Sequence, residues 1–131
     1  MKILVTGGSG YVGSILIPRL LTKKHKVINI DTQWFGHYLK NKRNLKNYKM
    51  DYAKIENIKD KNIDIVIHLA SIANDPMAEI DKNLSWETSA LNTYKLLEFM
   101  KNRKIKKILY ASSGSVYGIK KESKVTETSK L

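Results

Sequence analysis

Short apolar runs alternate with polar and glycine-rich stretches along the chain. Runs of strand length occupy residues 3–6, 27–30, 64–70 and 107–111, and a less apolar run of similar length lies at 48–51. Short, continuously apolar runs are typical of strands that are covered on both faces. The pattern therefore predicts five strands, of which the run at 64–70 is the clearest.

Two of the segments between these strands have apolar residues at helical spacing. The first covers residues 11–23. The second covers 84–103 and carries apolar side chains on one side: Leu84, Leu91, Tyr94, Leu97 and Met100. Strands that alternate with helices form parallel sheets with right-handed crossovers. The sequence predicts an α/β fold in one domain, residues 1–131, with a Rossmann-type doubly wound parallel sheet in the order 3-2-1-4-5.

Three glycines separate the first predicted strand from the first predicted helix. Gly7, Gly10 and Gly13 stand at Gly-x-x-Gly-x-x-Gly spacing. Between a strand and a helix, these positions permit a sharp turn, a close approach of backbone N–H groups to a pyrophosphate, and tight packing of the helix on the sheet. The helix N-terminus adds unpaired N–H groups and a partial positive charge. A glycine-rich turn without a ligand is the alternative, and the structural context favours a nucleotide site.

A carboxylate ends the second predicted strand. Asp31 follows Gly13 by about 20 residues, the spacing at which an acidic residue hydrogen-bonds the ribose hydroxyls of a dinucleotide. The same charge would repel a 2′-phosphate, and no arginine follows closely, so the sequence predicts NAD in preference to NADP. The alternative is an ordinary Asp that starts a turn.

Residues after the third and fourth predicted strands fall where a ligand crevice is expected. Asp51 and Tyr52 follow the third strand, where they would meet an adenine, and the alternative for Asp51 is to cap the next turn. Ala70 and Ser71 end the fourth strand with small side chains. His68, inside that apolar run, is more typical of a buried neutral histidine than of a catalyst.

The fifth predicted strand runs into a loop rich in serine and glycine, residues 112–118. Ser112, Ser113 and Ser115 bring three hydroxyl groups to the carboxyl end of a strand, at the sheet edge that also carries the glycine motif. In open α/β sheets that edge holds the ligand crevice. The loop therefore predicts ligand binding, and the alternative is a connection without a functional role.

Composition excludes several classes of function. The 131 residues are 42% hydrophobic and 27% charged, as in ordinary globular domains. The chain has no cysteine and no apolar run long enough to span a bilayer, and Met1 leads directly into the first strand. We therefore expect a cytoplasmic protein without disulfides, thiolate chemistry or a membrane partner. No metal site is predicted.

The formal net charge of +12 raises nucleic acid as a partner. The excess is almost entirely lysine, and the arginines are Arg19, Arg43 and Arg103. Arginine is better suited to phosphate and base recognition, and no block of like charges marks a binding tail. We therefore expect no nucleic-acid partner, and a steep salt dependence of DNA binding would be the sign of one.

Several of these motifs occur together in one family. Residues 6–13, Asp31, residues 68–70 and the 112–118 loop make the chain resemble the extended short-chain dehydrogenase/reductases. Within them, it is similar to the NAD-dependent nucleotide-sugar epimerases and dehydratases of the UDP-glucose 4-epimerase type. The resemblance covers nearly the whole chain. It implies a Rossmann domain, NAD as cofactor and a nucleotide-sugar substrate in the complete enzyme, and we also expect a homodimer.

The resemblance implies roles for individual residues as well. The resemblance implies that the pyrophosphate is bound by Gly7, Gly10, Tyr11 and Val12, and the ribose by Asp31. It further implies that Asp51 and Tyr52 flank the adenine, and that the cofactor site is lined by Leu69, Ala70 and Ser71. Ser89 stands in the second helix where relatives usually carry Asn, so its cofactor contact would be weaker or water-mediated. Ser113 falls on the family's catalytic Ser/Thr, which hydrogen-bonds the reacting sugar hydroxyl.

The general base of the family is the Tyr of a Tyr-x-x-x-Lys pair some tens of residues beyond the serine loop. The sequence reaches Leu131 before such a pair, and the two pairs with these letters, Tyr38 with Lys42 and Tyr117 with Lys121, stand in other contexts. We therefore expect a truncated domain: the NAD-binding half of an epimerase or dehydratase, without the C-terminal substrate-binding part and with exposed apolar surface. The alternative is a non-catalytic dinucleotide-binding or sensing module.

Overall fold

The computed structural model describes residues 1–39, 42–72, 75–119 and 124–129. A five-stranded sheet forms its centre and consists of β1 Lys2–Thr6, β2 Lys26–Asp31, β3 Leu45–Lys49, β4 Ile65–His68 and β5 Ile108–Tyr110. The strands lie in the order β3-β2-β1-β4-β5, and the four pairings between neighbours are parallel. The predicted fold class and the predicted strand order are confirmed.

Alternate residues of the central strand face two separate hydrophobic cores. On one face of the sheet, Ile3 and Val5 belong to a buried cluster with α1 (Tyr11–Thr22). On the other face, Leu4 belongs to a buried cluster with α4 (Asn92–Asn102). Successive side chains of a strand point to opposite faces, so a continuously apolar β1 is what a sheet covered on both sides requires.

The third strand begins and ends earlier than the sequence predicted. It covers Leu45–Lys49 instead of residues 48–51, and Lys46 and Lys49 are exposed in it. Within the described sheet, β3 is an edge strand that pairs with β2 alone. Exposed lysines are common on such strands because they oppose pairing with another chain. The apolar pattern misplaced this strand because an edge strand needs fewer apolar side chains.

The second predicted helix is divided into three consecutive segments. α3 (Lys82–Trp86) leads into a π-helical turn (Glu87–Leu91), which leads into α4. The Asp81 carboxylate accepts a hydrogen bond from the Leu84 N–H at 2.9 Å and caps α3. A shorter helix, α2 (Asp75–Ile80), precedes it.

The buried side of α4 differs from the side that the spacing predicted. Its buried residues are Asn92, Leu96, Phe99 and Met100. Of the five apolar residues expected on one side, Met100 alone is buried, and the stripe of Leu91, Tyr94 and Leu97 is exposed. None of the helices in the described part of the chain has the length and hydropathy that a bilayer-spanning segment requires.

Candidate functional site

Gly7 makes the sharp turn at the end of β1. Its φ is +75°, a conformation that residues with a Cβ rarely adopt. A Cβ at this position would lie 2.6 Å from the backbone nitrogen of Ala70, and the Gly7 N–H donates to the Ile30 carbonyl at 2.9 Å. The turn is therefore pressed between the ends of β2 and β4, where only glycine fits.

The other two motif glycines differ in what surrounds them. A Cβ on Gly13 would overlap the backbone of Gly8, so α1 packs directly on the turn. A Cβ on Gly10 would meet nothing closer than the Gly7 carbonyl oxygen, at 3.3 Å. The protein's own packing thus requires glycine at 13 but leaves space beside Gly10. A glycine at position 10 would allow a phosphate group to approach the protein backbone closely.

Ser9 joins the turn of residues 7–10, called the glycine turn below, to β2 by hydrogen bonds. Its N–H donates to Asp31 Oδ2 at 2.9 Å, and its Oγ accepts from Asn29 Nδ2 at 3.1 Å. Asn29 is fully buried and also donates to Asn47 Oδ1 at 3.1 Å. Asn29 was not predicted as part of the site. Its position as a polar residue inside a four-residue apolar run was the available signal, since buried polar groups are almost always hydrogen-bonded.

Asp31 occupies the tip of β2 beside this turn. Besides the bond from Ser9, its Oδ1 accepts from the Gln33 N–H at 2.6 Å. Each carboxylate oxygen can accept more than one hydrogen bond, so the side chain is held in place and keeps capacity for a pair of hydroxyl donors. Asp31 starts the turn, as the alternative interpretation had it, and remains available for the ribose role.

A cavity of about 140 Å³ lies at the carboxyl end of the sheet. Eight of the residues predicted for the site line it: Gly7, Gly10, Asp31, Asp51, Tyr52, Leu69, Ala70 and Ser71. Trp34, Phe35 and Thr88 line it as well. From the sequence, Trp34 and Phe35 could equally cover the adenosine or pack against an edge, and Thr88 was not predicted. The two aromatic side chains are 58% and 65% exposed, so much of their surface is available for contact with a planar group.

Four predicted residues do not line this cavity. Tyr11 and Val12 lie in the first turn of α1 and are 88% and 56% exposed. Ser89 lies in the π-helical turn, one residue beyond Thr88. Ser113 lies after β5, where its Oγ accepts from the Ser115 N–H at 3.1 Å and caps the exposed 3₁₀ turn Gly114–Tyr117.

Asp51 and Tyr52 contribute to both structure and cavity. The Asp51 carboxylate accepts from the Ala53 N–H at 2.8 Å and caps the 3₁₀ segment Tyr52–Asn57. Tyr52 is only 5% exposed, and its hydroxyl donates to the Thr88 carbonyl. Burial raises the pKa of Tyr52 above its usual value, so the phenol stays protonated and remains a donor near neutral pH.

His68 is a core histidine, as its apolar surroundings in the sequence indicated. It is 1% exposed, its Nδ1 lies 2.5 Å from Thr6 Oγ1, and its Nε2 lies 3.0 Å from Thr93 Oγ1. Burial lowers the pKa of His68 to about 4, because the low-dielectric interior disfavours the charged form. The imidazole is therefore neutral near pH 7.

The two Tyr-x-x-x-Lys letter matches bring no base to the cavity. Tyr38 is 72% exposed in the segment after β2, and Tyr117 lies in the 3₁₀ turn that follows the serines. Neither lines the cavity, and Lys121 lies outside the described residues. Among the described residues, no group of three or more His, Asp or Glu side chains could hold a metal ion.

The chain matches one family model and a set of sugar-nucleotide enzymes. Residues 3–131 match the NAD dependent epimerase/dehydratase family. The chain is 39% identical over 130 residues to a dTDP-D-glucose 4,6-dehydratase of Dictyostelium discoideum, covering 89% of this chain and 30% of that protein. It is 28% identical over 135 residues to a UDP-glucose 4-epimerase of Lactobacillus helveticus, covering 100% of this chain and 41% of that protein.

Solved structures are similar in the same region. The UDP-glucose 4-epimerase from Bifidobacterium longum in complex with NAD+ and UDP superposes with a TM-score of 0.79 at 28% identity, covering 98% of this chain and 42% of that one. The chain thus spans between 30% and 42% of the length of these three relatives. The family match over residues 3–131 includes the glycine turn, the strand ends and the serine loop.

Proposed function

The chain belongs to the NAD-dependent epimerase/dehydratase family, and from that premise we propose that it is the NAD-binding half of a nucleotide-sugar epimerase or dehydratase. One observation carries the proposal for the cofactor. The Asp31 carboxylate is fixed by the Ser9 N–H at 2.9 Å, so that an acidic side chain and the glycine turn line the same cavity. This is the arrangement that a ribose and an adjoining pyrophosphate require.

The N-terminus of α1 supports a pyrophosphate subsite. Its N-cap is Gly10, which has no side chain to satisfy the first N–H groups, and the first turn contains no acidic residue. These N–H groups and the positive end of the helix are therefore available to an anion. The space beside Gly10 admits the phosphate oxygens, and Tyr11 and Val12 contribute through their backbone and not through their exposed side chains.

The adenosine end falls between β2 and the segment after β3. Asp31 would accept hydrogen bonds from the two ribose hydroxyls and would repel a 2′-phosphate, so NAD is favoured over NADP. Trp34 and Phe35 offer exposed aromatic faces at the cavity, and we assign to them the covering of the adenine. Asp51 lines the same cavity, and we assign its carboxylate to the adenine edge.

The sugar chemistry of the whole enzyme is part of the proposal. NAD, when bound, supplies the acceptor for a hydride from a sugar carbon. Ser113 would hydrogen-bond the sugar hydroxyl at which that chemistry occurs, and its exposed position after β5 leaves it accessible. The Tyr base of the family has no counterpart at the cavity among the described residues, so we expect little turnover from residues 1–131 alone.

Isothermal titration calorimetry with NAD, NADP and ADP tests the cofactor proposal. We expect heat with NAD, weaker binding of NADP, and competition by ADP, because the cavity offers groups for the ADP part of the cofactor. Nicotinamide mononucleotide should compete poorly. Folded protein that gives no heat with either dinucleotide would refute the proposal, and full epimerase turnover by this chain would refute its status as half an enzyme.

A homodimer and a cytoplasmic location stay predictions. The exposed stripe of Leu91, at the end of the π-helical turn, and of Tyr94 and Leu97 on α4 supports self-association, since exposed apolar residues that lie together often mark contact surfaces. Sedimentation equilibrium of the unaltered chain and of a Leu91→Ser, Leu97→Ser variant measures this directly. We expect association that the double variant weakens, and a monomer at all concentrations would exclude the dimer for this chain.

A further inference from the structure

The π-helical turn between α3 and α4 is held by one side chain from a distant segment and by one from the next turn of the same helical run. The Asn92 N–H bonds the Glu87 carbonyl, five residues earlier, so the helix widens here. The next two carbonyls accept side-chain hydroxyls: Thr88 O accepts from Tyr52, and Ser89 O accepts from Thr93 Oγ1 at 2.9 Å. Single π-helical turns are frequent at functional sites, and Thr88 lines the cavity.

The hydroxyl of Thr93 fixes the tautomer of His68. A hydroxyl has one proton, and Thr93 donates it to the Ser89 carbonyl, which can only accept. Thr93 Oγ1 must therefore accept from His68 Nε2, which lies 3.0 Å away and carries the imidazole proton. His68 Nδ1 is then the acceptor for the Thr6 hydroxyl at 2.5 Å. Each donor in this chain of bonds has one acceptor.

The surroundings of His68 keep it neutral. Two aromatic rings face it, Tyr52 with ring centroids 5.1 Å apart and Tyr110 with centroids 5.3 Å apart. Among the described residues, no Asp, Glu, Lys or Arg makes a hydrogen bond or ion pair with it. Burial lowers its pKa to about 4, so the same tautomer persists across the neutral pH range.

The hydrogen-bond chain connects two walls of the cavity. At one end, Thr6 immediately precedes Gly7, and at the other end Ser89 follows Thr88, and both Gly7 and Thr88 line the cavity. We propose that His68 is a positioning residue, which fixes the π-helical turn relative to the glycine turn through Thr93 and so sets the shape of the cofactor crevice. This inference rests on the proposed NAD site for its effect on binding.

A pair of Thr93 variants tests the inference. Thr93→Val keeps the volume and removes the hydroxyl, whereas Thr93→Ser keeps the hydroxyl. We expect Thr93→Val to weaken NAD binding about three- to tenfold, the weight of one hydrogen bond, and Thr93→Ser to bind within about twofold of the unaltered chain. Both variants are checked for folding by circular dichroism, and equal NAD affinity of Thr93→Val and the unaltered chain would overturn the inference.

Two measurements without NAD separate this inference from the proposed function. Nitrogen-15 NMR of the imidazole should show a proton on His68 Nε2 from pH 8 to pH 5, and a proton on Nδ1 would overturn the inference. Amide exchange over residues 87–92 should become about tenfold faster in Thr93→Val but not in Thr93→Ser. If the unaltered chain binds no NAD, the proposed function fails, and the exchange rates still decide whether His68 positions the turn.

Discussion

The glycine turn and the serine loop lie after strands of the same sheet, yet they are built differently. In the glycine turn, Ser9 is 4% exposed and bonded to two residues of β2. In the serine loop, the Ser113 side chain is exposed and bonds within its own turn. The first is fixed by strands on both sides, whereas β5 has β4 as its single described neighbour.

The difference distinguishes the proposed cofactor site from the proposed sugar site by position and by the number of contacts that hold each one. Atoms that would hold a dinucleotide are fixed by contacts within the described chain. The loop that would hold the sugar follows Leu109 and Tyr110, which are 58% and 51% exposed. Neighbouring residues therefore stabilise this loop less than they stabilise the glycine turn. Substitutions in the glycine turn should therefore cost much more stability than equivalent substitutions in the serine loop.

A matched pair of glycine substitutions makes the largest contrast. At Gly7, alanine would have to adopt φ of +75° and to lie 2.6 Å from the Ala70 nitrogen, and we expect a loss of about 3 kcal/mol or more of unfolding free energy from strain and overlap. At Gly114, a Cβ would meet nothing within 4 Å, and we expect a change within about 0.5 kcal/mol.

Urea unfolding followed by circular dichroism measures both free energies in the same buffer. NAD titration of the same samples adds a second readout, since Gly7→Ala should also impair the cofactor site and Gly114→Ala should not. Similar losses for the two variants would mean that the glycine turn is no more constrained than the serine loop, and the comparison would fail.

The Asp31 carboxylate should have the next largest effect, on binding. Asp31→Asn keeps the shape and removes the charge, so we expect NAD to bind about 10- to 100-fold more weakly, the range for hydrogen bonds to a charged group. Discrimination against NADP should decrease too, because the repulsion of the 2′-phosphate is gone. Calorimetry with both cofactors measures the two effects. Unchanged affinities for NAD and NADP would contradict the proposed role of Asp31 in binding the ribose.

The pH dependence of the free energy of unfolding should reveal the lowered pKa of His68. Its pKa is lowered from 6.5 to about 4 by burial, so between these values the unfolded chain binds a proton that the folded chain excludes. The free energy of unfolding should therefore fall as pH decreases from about 6.5 to about 4. His68→Asn should remove most of that slope, whereas substitution of exposed His37 should leave it.

The Asp60 carboxylate should also affect the pH dependence of the free energy of unfolding, but at lower pH than His68. Burial alone would raise the pKa of Asp60, but hydrogen bonds from Lys46 and Tyr48 lower it below its usual 3.8. Its stabilising contribution is present above the unfolded-state pKa and is lost as pH falls through the lower folded-state pKa, so most of this loss occurs at lower pH than the loss from His68. A stability curve that is flat between pH 6.5 and 4 would contradict the burial of a neutral His68.

The sequence predicted the strand order and four of the five strands, because the signals for these strands are local. Apolar runs of strand length, the glycine spacing and Asp31 at the end of a strand each depend on a few neighbouring residues, and they predicted the strand order and most of the cavity lining. The assignments to Tyr11, Val12, Ser89 and Ser113 came from resemblance, and their roles stay predictions.

What the sequence could not supply depends on contacts between distant segments. No local sequence signal marks the π-helical turn at Glu87–Leu91, and the Tyr52 hydroxyl that bonds its Thr88 carbonyl is 36 residues away in the chain. The buried side of α4 was misjudged for the same reason. Leucines recur on both sides of the helix, and only the packed sheet determines which side is buried.

A matched pair of serine substitutions makes the smallest and most specific contrast. Ser9→Ala removes a buried acceptor of Asn29 Nδ2, and we expect a loss of about 1 kcal/mol, because the amide keeps its bond to Asn47 alone. Ser113→Ala removes an exposed bond within a turn, and we expect a loss below about 0.5 kcal/mol with NAD affinity unchanged. Both are measured by urea unfolding and calorimetry. If Ser113→Ala costs as much as Ser9→Ala, the serine loop is supported by the fold as firmly as the glycine turn, and its exposure cannot be used to separate the sugar site from the cofactor site.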